Sequence, residues 1–216
     1  GFGNRAYAEF VLRRFVPRAY RRPVTEEELS RLLSLYDVVA GNEAPFMEAI
    51  RLPLKAVLVS PRFLFRAESQ PRPDDPKAVH DLDEYSLASR LSFFLWSTMP
   101  DDRLLTLASK TQLRSNLAIE VRRMLDDNRS IAFSKNFAGQ WLQLRDLDLV
   151  QPDKKRFPGF DDKLRQSMRL ETEAFFRYLL MKNRPVTEFL DADYTFLNAS
   201  LARHYGLRGS FGDAPE

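Results

Sequence analysis

The residues that most directly suggest chemistry are arginines near the N-terminus. Residues 13–23 read RRFVPRAYRRP and place five arginines in eleven positions. Guanidinium groups bind sulfate and phosphate through paired N–H donors, so this spacing predicts an anion-binding site if the side chains share a face. The alternative, which we favour, is that these arginines stay hydrated or pair with the acids at 26–28. The candidate anion-binding residues are Arg14, Arg18, Arg21 and Arg22.

A second set of side chains has the types needed for acid–base chemistry. Histidine titrates near neutral pH and can serve as a general base or a haem ligand, and the chain contains only His80 and His204. His204 stands beside Tyr205 on a predicted helix without an obvious carboxylate partner, a setting more typical of a structural histidine. If the chain shares an active site with other domains, the candidate catalytic residues are His204, Tyr205, Tyr194 and Arg90.

Paired acids and sequence motifs indicate no active site or metal site. The aspartate pairs at 101–102 and 126–127 fall at predicted helix ends, where aspartate commonly caps the backbone. Glu171 and Glu173 are two residues apart on a predicted helix, so their carboxylates cannot converge on one ion. The sequence also contains no glycine-rich phosphate loop, no G-x-S-x-G elbow and no H-E-x-x-H metal motif.

The charge balance and the lack of cysteine limit which partners and cofactors this chain can bind. The 33 basic and 30 acidic residues give a net charge of +3 and are interspersed, whereas nucleic-acid binders concentrate basic residues on one face. We therefore expect no nucleic-acid partner. Without cysteine, this chain has no disulfide, no thiolate metal site and no C-x-x-C-H attachment site for a c-type haem. No run of about 18 apolar residues occurs, so we expect no membrane span in this chain.

Apolar periodicity and helix-capping residues predict an all-α fold. Glycine is scarce, at 8 residues, and long runs of Val, Ile and Thr are absent. Because proline lacks an N–H group, Pro17 predicts that a first helix over residues 4–16 restarts or kinks there. Its inward-facing residues are predicted to include Ala6, Phe10 and Phe15.

Later helices are predicted from their first residues and their apolar spacing. Thr25 and Glu28 fit a T-x-x-E capping box. Single helices are predicted over 45–59 and over 161–182. Aromatic residues within amphipathic helices usually pack in the core. We predict that role for Phe93, Phe94, Trp96, Phe137 and Trp141.

A polar, proline-rich segment divides the chain. Residues 69–81, SQPRPDDPKAVHD, contain three prolines and no apolar period, which is typical of a linker. We predict two packed helical subdomains, over 1–68 and 82–208, joined by this linker and followed by a tail at 209–216. The loop-like ends, GFGNRAYAEF and LRGSFGDAPE, lead us to expect that the chain is part of a longer protein.

Several long phrases resemble known domain families. FVPRAYRRPVTEEELSRLLSLY and LPLKAVLVSPRFLFRAE are similar to the fifth planctomycete-specific, cytochrome-associated domain of unknown function. RLSFFLW, FAGQWLQL and YTFLNASLARHYG are similar to the fourth domain of the same set, abbreviated PSD. The resemblance covers most of the chain, and the longer phrases are specific.

The resemblance implies a context for the chain and no particular chemistry. Family members are large exported proteins of uncharacterised function, so a periplasmic or cell-envelope location is implied. A c-type cytochrome domain and further uncharacterised domains usually flank the pair seen here. The resemblance therefore implies a c-type haem elsewhere in the full-length protein, and flanking domains, including the cytochrome c domain, as partners. The family offers no established catalytic residues to carry over.

Three functions remain open from the sequence. The leading hypothesis is a helical scaffold that docks the flanking domains and has no catalytic activity of its own. The second is part of an envelope oxidoreductase or polysaccharide-processing enzyme, whose site is shared with domains outside this chain. The third is a sulfate- or phosphate-binding module that uses the arginine cluster.

Overall fold

The fold is built from helices. The computed structural model describes residues 4–66, 68 and 71–213, and this part of the chain contains no strand, which confirms the predicted all-α fold class. In chain order the α-helices are α1 (Asn4–Tyr20), α2 (Glu26–Ala40), α3 (Phe46–Ala49), α4 (Arg51–Leu58), α5 (Pro61–Leu64), α6 (Glu84–Trp96), α7 (Asp102–Ser109), α8 (Leu117–Asp126), α9 (Ile131–Phe133), α10 (Gly139–Trp141), α11 (Asp162–Met181), α12 (Glu188–Asp191) and α13 (Ala199–His204). Tighter 3₁₀ turns cover Arg114–Asn116, Asn128–Ser130 and Leu144–Asp148, and a wider π-helical turn covers Ser134–Ala138.

The helices form two compact units. The first consists of the described residues up to Phe93 together with Thr98–Glu120. The second consists of Phe94–Ser97 and the described residues from Val121 onward. Helices α6 and α8 therefore contribute residues to both units. The described part of the predicted linker, 71–81, contains no helix, and the predicted subdomain boundaries stay a prediction.

Helices α1, α2 and α4 pack around the core of the first unit. On α1 the buried residues recur every three or four positions, which places them on one helical stripe. Each fully buried leucine or valine stabilises the fold by about 1.5–3 kcal/mol through the apolar surface that it removes from water. The buried side chains of this core include Ala8, Leu12, Val16, Ala19, Leu29, Leu32, Leu33, Tyr36, Ile50 and Val57.

The inward face predicted for α1 was wrong at two of its three positions. Ala6 is exposed and Phe10 is 53% exposed, while Phe15 is partly buried. The helix carries apolar residues on more than one face, so its spacing alone does not select the buried stripe. The stripe around Leu12 packs on α2, and Phe10 instead stacks beside Tyr7 on the surface.

Helix α1 also continues through Pro17 to Tyr20, so the predicted end at residue 16 and restart at Pro17 are wrong, while the alternative of a kink stays a prediction. Burial of Ala19 and Tyr20 beyond the proline offsets the backbone hydrogen bond that Pro17 cannot donate. Arg21 follows the last helical residue, Tyr20; its φ of 58° is left-handed and its N–H donates to the carbonyl of Arg18. Non-glycine residues rarely adopt this conformation, so contacts of the Arg21 side chain must hold it.

Side-chain caps set the start of several helices. The Thr25 hydroxyl accepts from the Glu28 N–H and the Glu28 carboxylate accepts from the Thr25 N–H, which confirms the predicted capping box. The Asp161 carboxylate accepts from the Leu164 N–H at the start of α11. The helix predicted over 161–182 therefore forms, with Asp161 as its N-cap and Lys182 as its C-cap. The single helix predicted over 45–59 instead divides at Ile50 into α3 and α4.

Helix α11 organises the second unit. It packs on the π-helical turn, on α13 and on the 3₁₀ turn at Leu144–Asp148. Leu164 of α11 meets Leu197 and Leu201 in one small apolar cluster. Further along the helix, the Phe176 ring lies 5.7 Å from the Phe133 ring, so aromatic contacts continue the core toward the helix end.

The predicted core role of the aromatic residues was wrong at three positions. Phe94, Phe137 and Trp141 are 53%, 41% and 50% exposed. The prediction placed Phe137 and Trp141 on the buried face of a regular α-helix. The π-helical turn at Ser134–Ala138 interrupts the 3.6-residue repeat, so regular helical spacing does not describe the direction of these side chains. Trp96 is buried as predicted, and its indole N–H donates to the Met124 carbonyl.

Substitutions on α1 test which of its faces is buried: Leu12 belongs to the observed core face, and Phe10 belongs to the face predicted from the sequence. Leu12→Ala should lower the free energy of unfolding by about 2–5 kcal/mol, because the substitution removes a fully buried side chain and leaves a cavity. Phe10→Ala, on the same helix, should cost less than about 1 kcal/mol since Phe10 lies at the surface. Urea unfolding followed by far-UV circular dichroism measures both; a larger loss for Phe10→Ala would contradict the observed packing.

Candidate functional site

The four predicted anion-binding arginines each contact a different partner. The Arg14 guanidinium lies 5.5 Å from the Phe10 ring centroid, and Arg18 lies 3.4 Å from the Asp102 carboxylate. Arg21 is buried, while Arg22 pairs with Glu28. The structure therefore does not bring the four guanidinium groups together around one position, and an anion site at these residues stays a prediction.

Arg21 has a structural setting. Its guanidinium donates to the carbonyl of Ala19 and to three carbonyls at the end of α5, those of Arg62, Phe63 and Phe65, at 2.9–3.3 Å. The last carbonyls of a helix lack partners within the helix and attract positive charge. Burial lowers the pKa of Arg21, and the nearby charge of Arg66 lowers it further. Arg21 thus joins the end of α1 to the end of α5.

Glu28 is the acid at the centre of the neighbouring charge network. Its carboxylate accepts from Arg22 through two N–H groups, at 2.7 and 3.1 Å, and lies 2.6 Å from Arg62. The hydrogen bonds from Arg22, helped by the Thr25 N–H, lower the pKa of Glu28 to about 2. Because Glu28 is nearly buried, this network is a structural device that orients α1, α2 and α5.

An open cavity of about 260 Å³ in the second unit gathers a different set of groups. Helix α11 and the segment through α12 form its walls. Aromatic rings and two carboxylates share the lining, which is the usual mixture in sites that bind small groups. The lining residues are Glu171, Thr172, Phe175, Glu188, Phe189, Leu190, Ala192, Tyr194 and Thr195.

One carboxylate of the cavity, that of Glu188, is fully compensated. The Tyr194 hydroxyl donates a hydrogen bond to it, and the Arg184 guanidinium lies 2.7 Å away. The hydrogen bond from Tyr194 is the main cause that lowers the pKa of Glu188. Partial burial and the bond to Glu188 raise the pKa of Tyr194, so this tyrosine remains a proton donor at neutral pH.

The other carboxylate, that of Glu171, is held by two hydroxyl groups. Thr195 Oγ1 donates to it at 2.7 Å and the Tyr205 hydroxyl at 2.9 Å. Partial burial and this bond raise the pKa of Tyr205 to about 12. Among the described residues, no lysine, arginine or histidine lies within ion-pair distance of Glu171.

The predicted catalytic residues are divided between the two units. Tyr194 lines the cavity and Tyr205 binds one of its carboxylates, while the His204 ring is exposed at the end of α13, 5.6 Å from the Tyr205 ring. Arg90 belongs to the first unit and pairs with Glu68 through two N–H groups. These residues stay candidates, with two tyrosines at the cavity and Arg90 engaged elsewhere.

Sequence reasoning missed Glu171 and Glu188. The sequence suggests Glu171 only as a possible pair with Glu173. In the structure the two carboxylates have different surroundings: Glu171 accepts from Thr195, whereas Glu173 is partly buried, which raises its pKa. The contacts of Glu171 span 24 and 34 residues along the chain, so no local spacing signals them. Within the described residues, no cluster of three or more metal-ligating side chains occurs.

A row of aromatic side chains is exposed on the second unit. The Phe137 ring centroid lies 6.2 Å from that of Phe94 and 6.0 Å from that of Trp141. The Trp141 ring in turn meets Phe189 edge to face, at 5.5 Å. We call Phe94, Phe137 and Trp141 the aromatic row. Contiguous exposed apolar surface of this kind marks sites of interaction more often than it occurs by chance.

Comparisons with known proteins place the chain in a family. Residues 82–207 match the family model of PSD4, a protein of unknown function (DUF1592). The chain belongs to the PSD4 family. Residues 3–68 match the model of PSD5, likewise a protein of unknown function (DUF1595), so the resemblance found in the sequence is confirmed. No curated protein and no solved structure matches this PSD4 chain. None of the helices in the described residues is both long and apolar enough to span a bilayer.

The charge network of the PSD4 chain predicts a pH-dependent stability. Glu28→Gln keeps the acceptor of the capping box but removes the charge that Arg22 binds, so it should cost about 2 kcal/mol at pH 7. Because the folded-state pKa of Glu28 is lowered to about 2, its contribution is full above the unfolded value of about 4.3 and is lost as the pH falls toward 2.

Urea unfolding of both proteins between pH 7 and pH 2 measures this difference. The matched control is Glu27→Gln, whose exposed carboxylate pairs with Arg31 and should change stability by less than about 0.5 kcal/mol. A gap between wild type and Glu28→Gln that does not shrink in acid would contradict the lowered pKa.

The Tyr205 hydroxyl provides a direct readout of the contact with Glu171. Absorbance titration of tyrosinate, taken as the difference between wild type and Tyr205→Phe, should show ionisation of Tyr205 at about 12. Glu171→Gln should shift it toward, but not fully to, the ordinary value of about 10, since burial remains. Glu173→Gln, two positions along the same helix, should leave the titration unchanged; an equal shift in both variants would exclude a specific contact.

Proposed function

We propose that this PSD4 chain is a non-catalytic docking region of a larger exported protein that also carries a c-type cytochrome domain. Its role is to hold flanking domains of the same polypeptide in position. The haem belongs to the cytochrome domain, because c-type attachment needs a C-x-x-C-H motif and this chain has no cysteine. Membership of the family and the phrases that resemble its domains support this context.

The engagement of its polar groups supports a role without catalysis. A general base must be free to take a proton near neutral pH. The pKa of Tyr205 is raised to about 12, while hydrogen bonding lowers the pKa of Glu188. Neither group therefore titrates in the range that acid–base catalysis at pH 7 requires. Arg21 is likewise committed to backbone carbonyls.

The observation that carries the docking proposal is the aromatic row of Phe94, Phe137 and Trp141. These rings contact one another at 6.0–6.2 Å and are each more than 40% exposed. Tryptophan and phenylalanine are enriched at the centres of protein interfaces, where they bury large areas at low entropic cost. A flanking domain that covers the row would remove this surface from water.

The test is binding of the separately expressed, haem-loaded cytochrome domain to the 216-residue chain. Calorimetric titration should detect a complex, and Trp141→Ala should weaken it at least tenfold, about 1.4 kcal/mol, since a central aromatic anchor is lost. Leu149→Ala is the matched control, because Leu149 is exposed in the same unit without belonging to the row; its affinity should stay within about twofold.

Three results would contradict the proposal. The first is a full-length reading frame without a C-x-x-C-H motif outside this chain. The second is a cytochrome domain that binds wild type and Trp141→Ala equally, or does not bind. The third is turnover of a substrate by the 216-residue chain alone, which would show a complete active site within it.

A further inference from the structure

We propose that the cavity between α11 and α12 binds a primary alkylammonium group, of the kind that ends a lysine side chain, with the Glu171 carboxylate as its counter-ion. This inference does not rest on the docking role, because Glu171 and its partners lie outside the aromatic row, although Phe189 of the cavity contacts Trp141 of the row. The cavity is lined by Glu171, Phe175, Glu188, Phe189 and Tyr194, together with smaller residues.

The first argument is the contrast between the two carboxylates of the cavity. Glu188 accepts from the hydroxyl of Tyr194 and has a cation, Arg184, at 2.7 Å. Glu171 also accepts from a tyrosine hydroxyl, that of Tyr205, but no cationic side chain of the described residues pairs with it. Each carboxylate thus accepts from a tyrosine hydroxyl, but only Glu188 also pairs with a cationic side chain.

The second argument is the remaining hydrogen-bonding capacity of Glu171. A carboxylate offers about four acceptor positions, and Thr195 and Tyr205 occupy two of them. Both partners are neutral hydroxyl groups, so they orient the carboxylate without neutralising its charge. An ammonium group carries three N–H donors and a positive charge, which matches the positions and the charge left over.

The third argument is the aromatic wall beside Glu171. The Phe175 ring stacks on the Tyr194 ring at 5.4 Å and meets the Phe189 ring edge to face at 5.3 Å. Ring faces attract cations and also cover the methylene groups of an alkyl chain. A neutral sugar or alcohol would use the rings but leave the carboxylate charge uncompensated, which favours the cation as the ligand.

The dimensions of the cavity limit the ligand to a small one. Its volume of about 260 Å³ lies just below the range of about 300–1,000 Å³ that is usual for drug-sized ligands. The cavity therefore suits a single side-chain-sized group. A metal ion is less suitable, since the described residues include no cluster of three or more metal-ligating side chains.

The experiment uses n-butylammonium as the probe and the 216-residue chain as the receptor, with binding followed by amide chemical shifts in NMR spectra. We expect a dissociation constant of about 1–10 mM, the range open to so small a ligand in an open cavity. Shifts should centre on residues 171–175 and 188–195. The neutral isostere 1-butanol should bind at least tenfold more weakly.

Matched variants assign the charge to Glu171. Glu171→Gln should weaken n-butylammonium binding at least tenfold, whereas Glu173→Gln, on the same helix but outside the cavity lining, should leave it within about twofold. Phe189→Leu keeps the carboxylate and removes an aromatic face, so a loss of threefold or more is expected. This variant also keeps the proposal testable if Glu171→Gln does not fold.

The proposal is overturned by any of three outcomes. Equal binding of 1-butanol and n-butylammonium would show an apolar cavity without charge selection. Equal losses in Glu171→Gln and Glu173→Gln would show a general effect of net charge. Unchanged affinity in Phe189→Leu, or shifts centred outside the cavity, would place the ammonium group elsewhere. The results with 1-butanol and with the Glu171 and Glu173 variants do not bear on docking through the aromatic row, whereas Phe189 contacts Trp141 of that row, so docking is measured for Phe189→Leu as well.

Discussion

The constraint on which this structure depends is that every helix end leaves backbone N–H or C=O groups that need partners. Short helices and sharp turns multiply such ends in this chain. Arg21 shows the consequence most clearly: its guanidinium satisfies carbonyls at the ends of both α1 and α5, and this holds its own backbone at a φ of 58°. Asn198 does the equivalent at α13, where its side chain accepts from Leu201 and donates to Ser167.

This use of polar side chains determines what remains for function. Arginine and glutamate pairs that look like a chemical cluster in the sequence are largely committed to the fold, as with Arg22 and Glu28. Among the described residues, the second unit also presents the exposed aromatic row and the cavity beside α11. Aromatic faces and an oriented carboxylate are groups that bind ligands and partners. The docking role proposed above is consistent with these surfaces.

Local irregularities had a large effect on the surface. The π-helical turn at Ser134–Ala138 shifts the helical register, and Phe137 within it and Trp141 after it lie half exposed. The wide turn packs on α11, which shows that tertiary contacts accompany the departure from helical geometry. At Pro17 the helix continues although proline usually interrupts a helix, because burial of the residues after it keeps α1 continuous.

The sequence by itself determined the helical class, the capping box at Thr25, the long helix over about 161–182 and the family, because these depend on spacing within a few residues or on whole phrases. Only the tertiary structure decided which face of α1 is buried and that Glu171 meets Thr195 and Tyr205. The physical reason is distance along the chain. Caps and periodicity act within one or two turns, whereas the choice among several apolar faces, and the gathering of a cavity, depend on neighbours that lie tens of residues away.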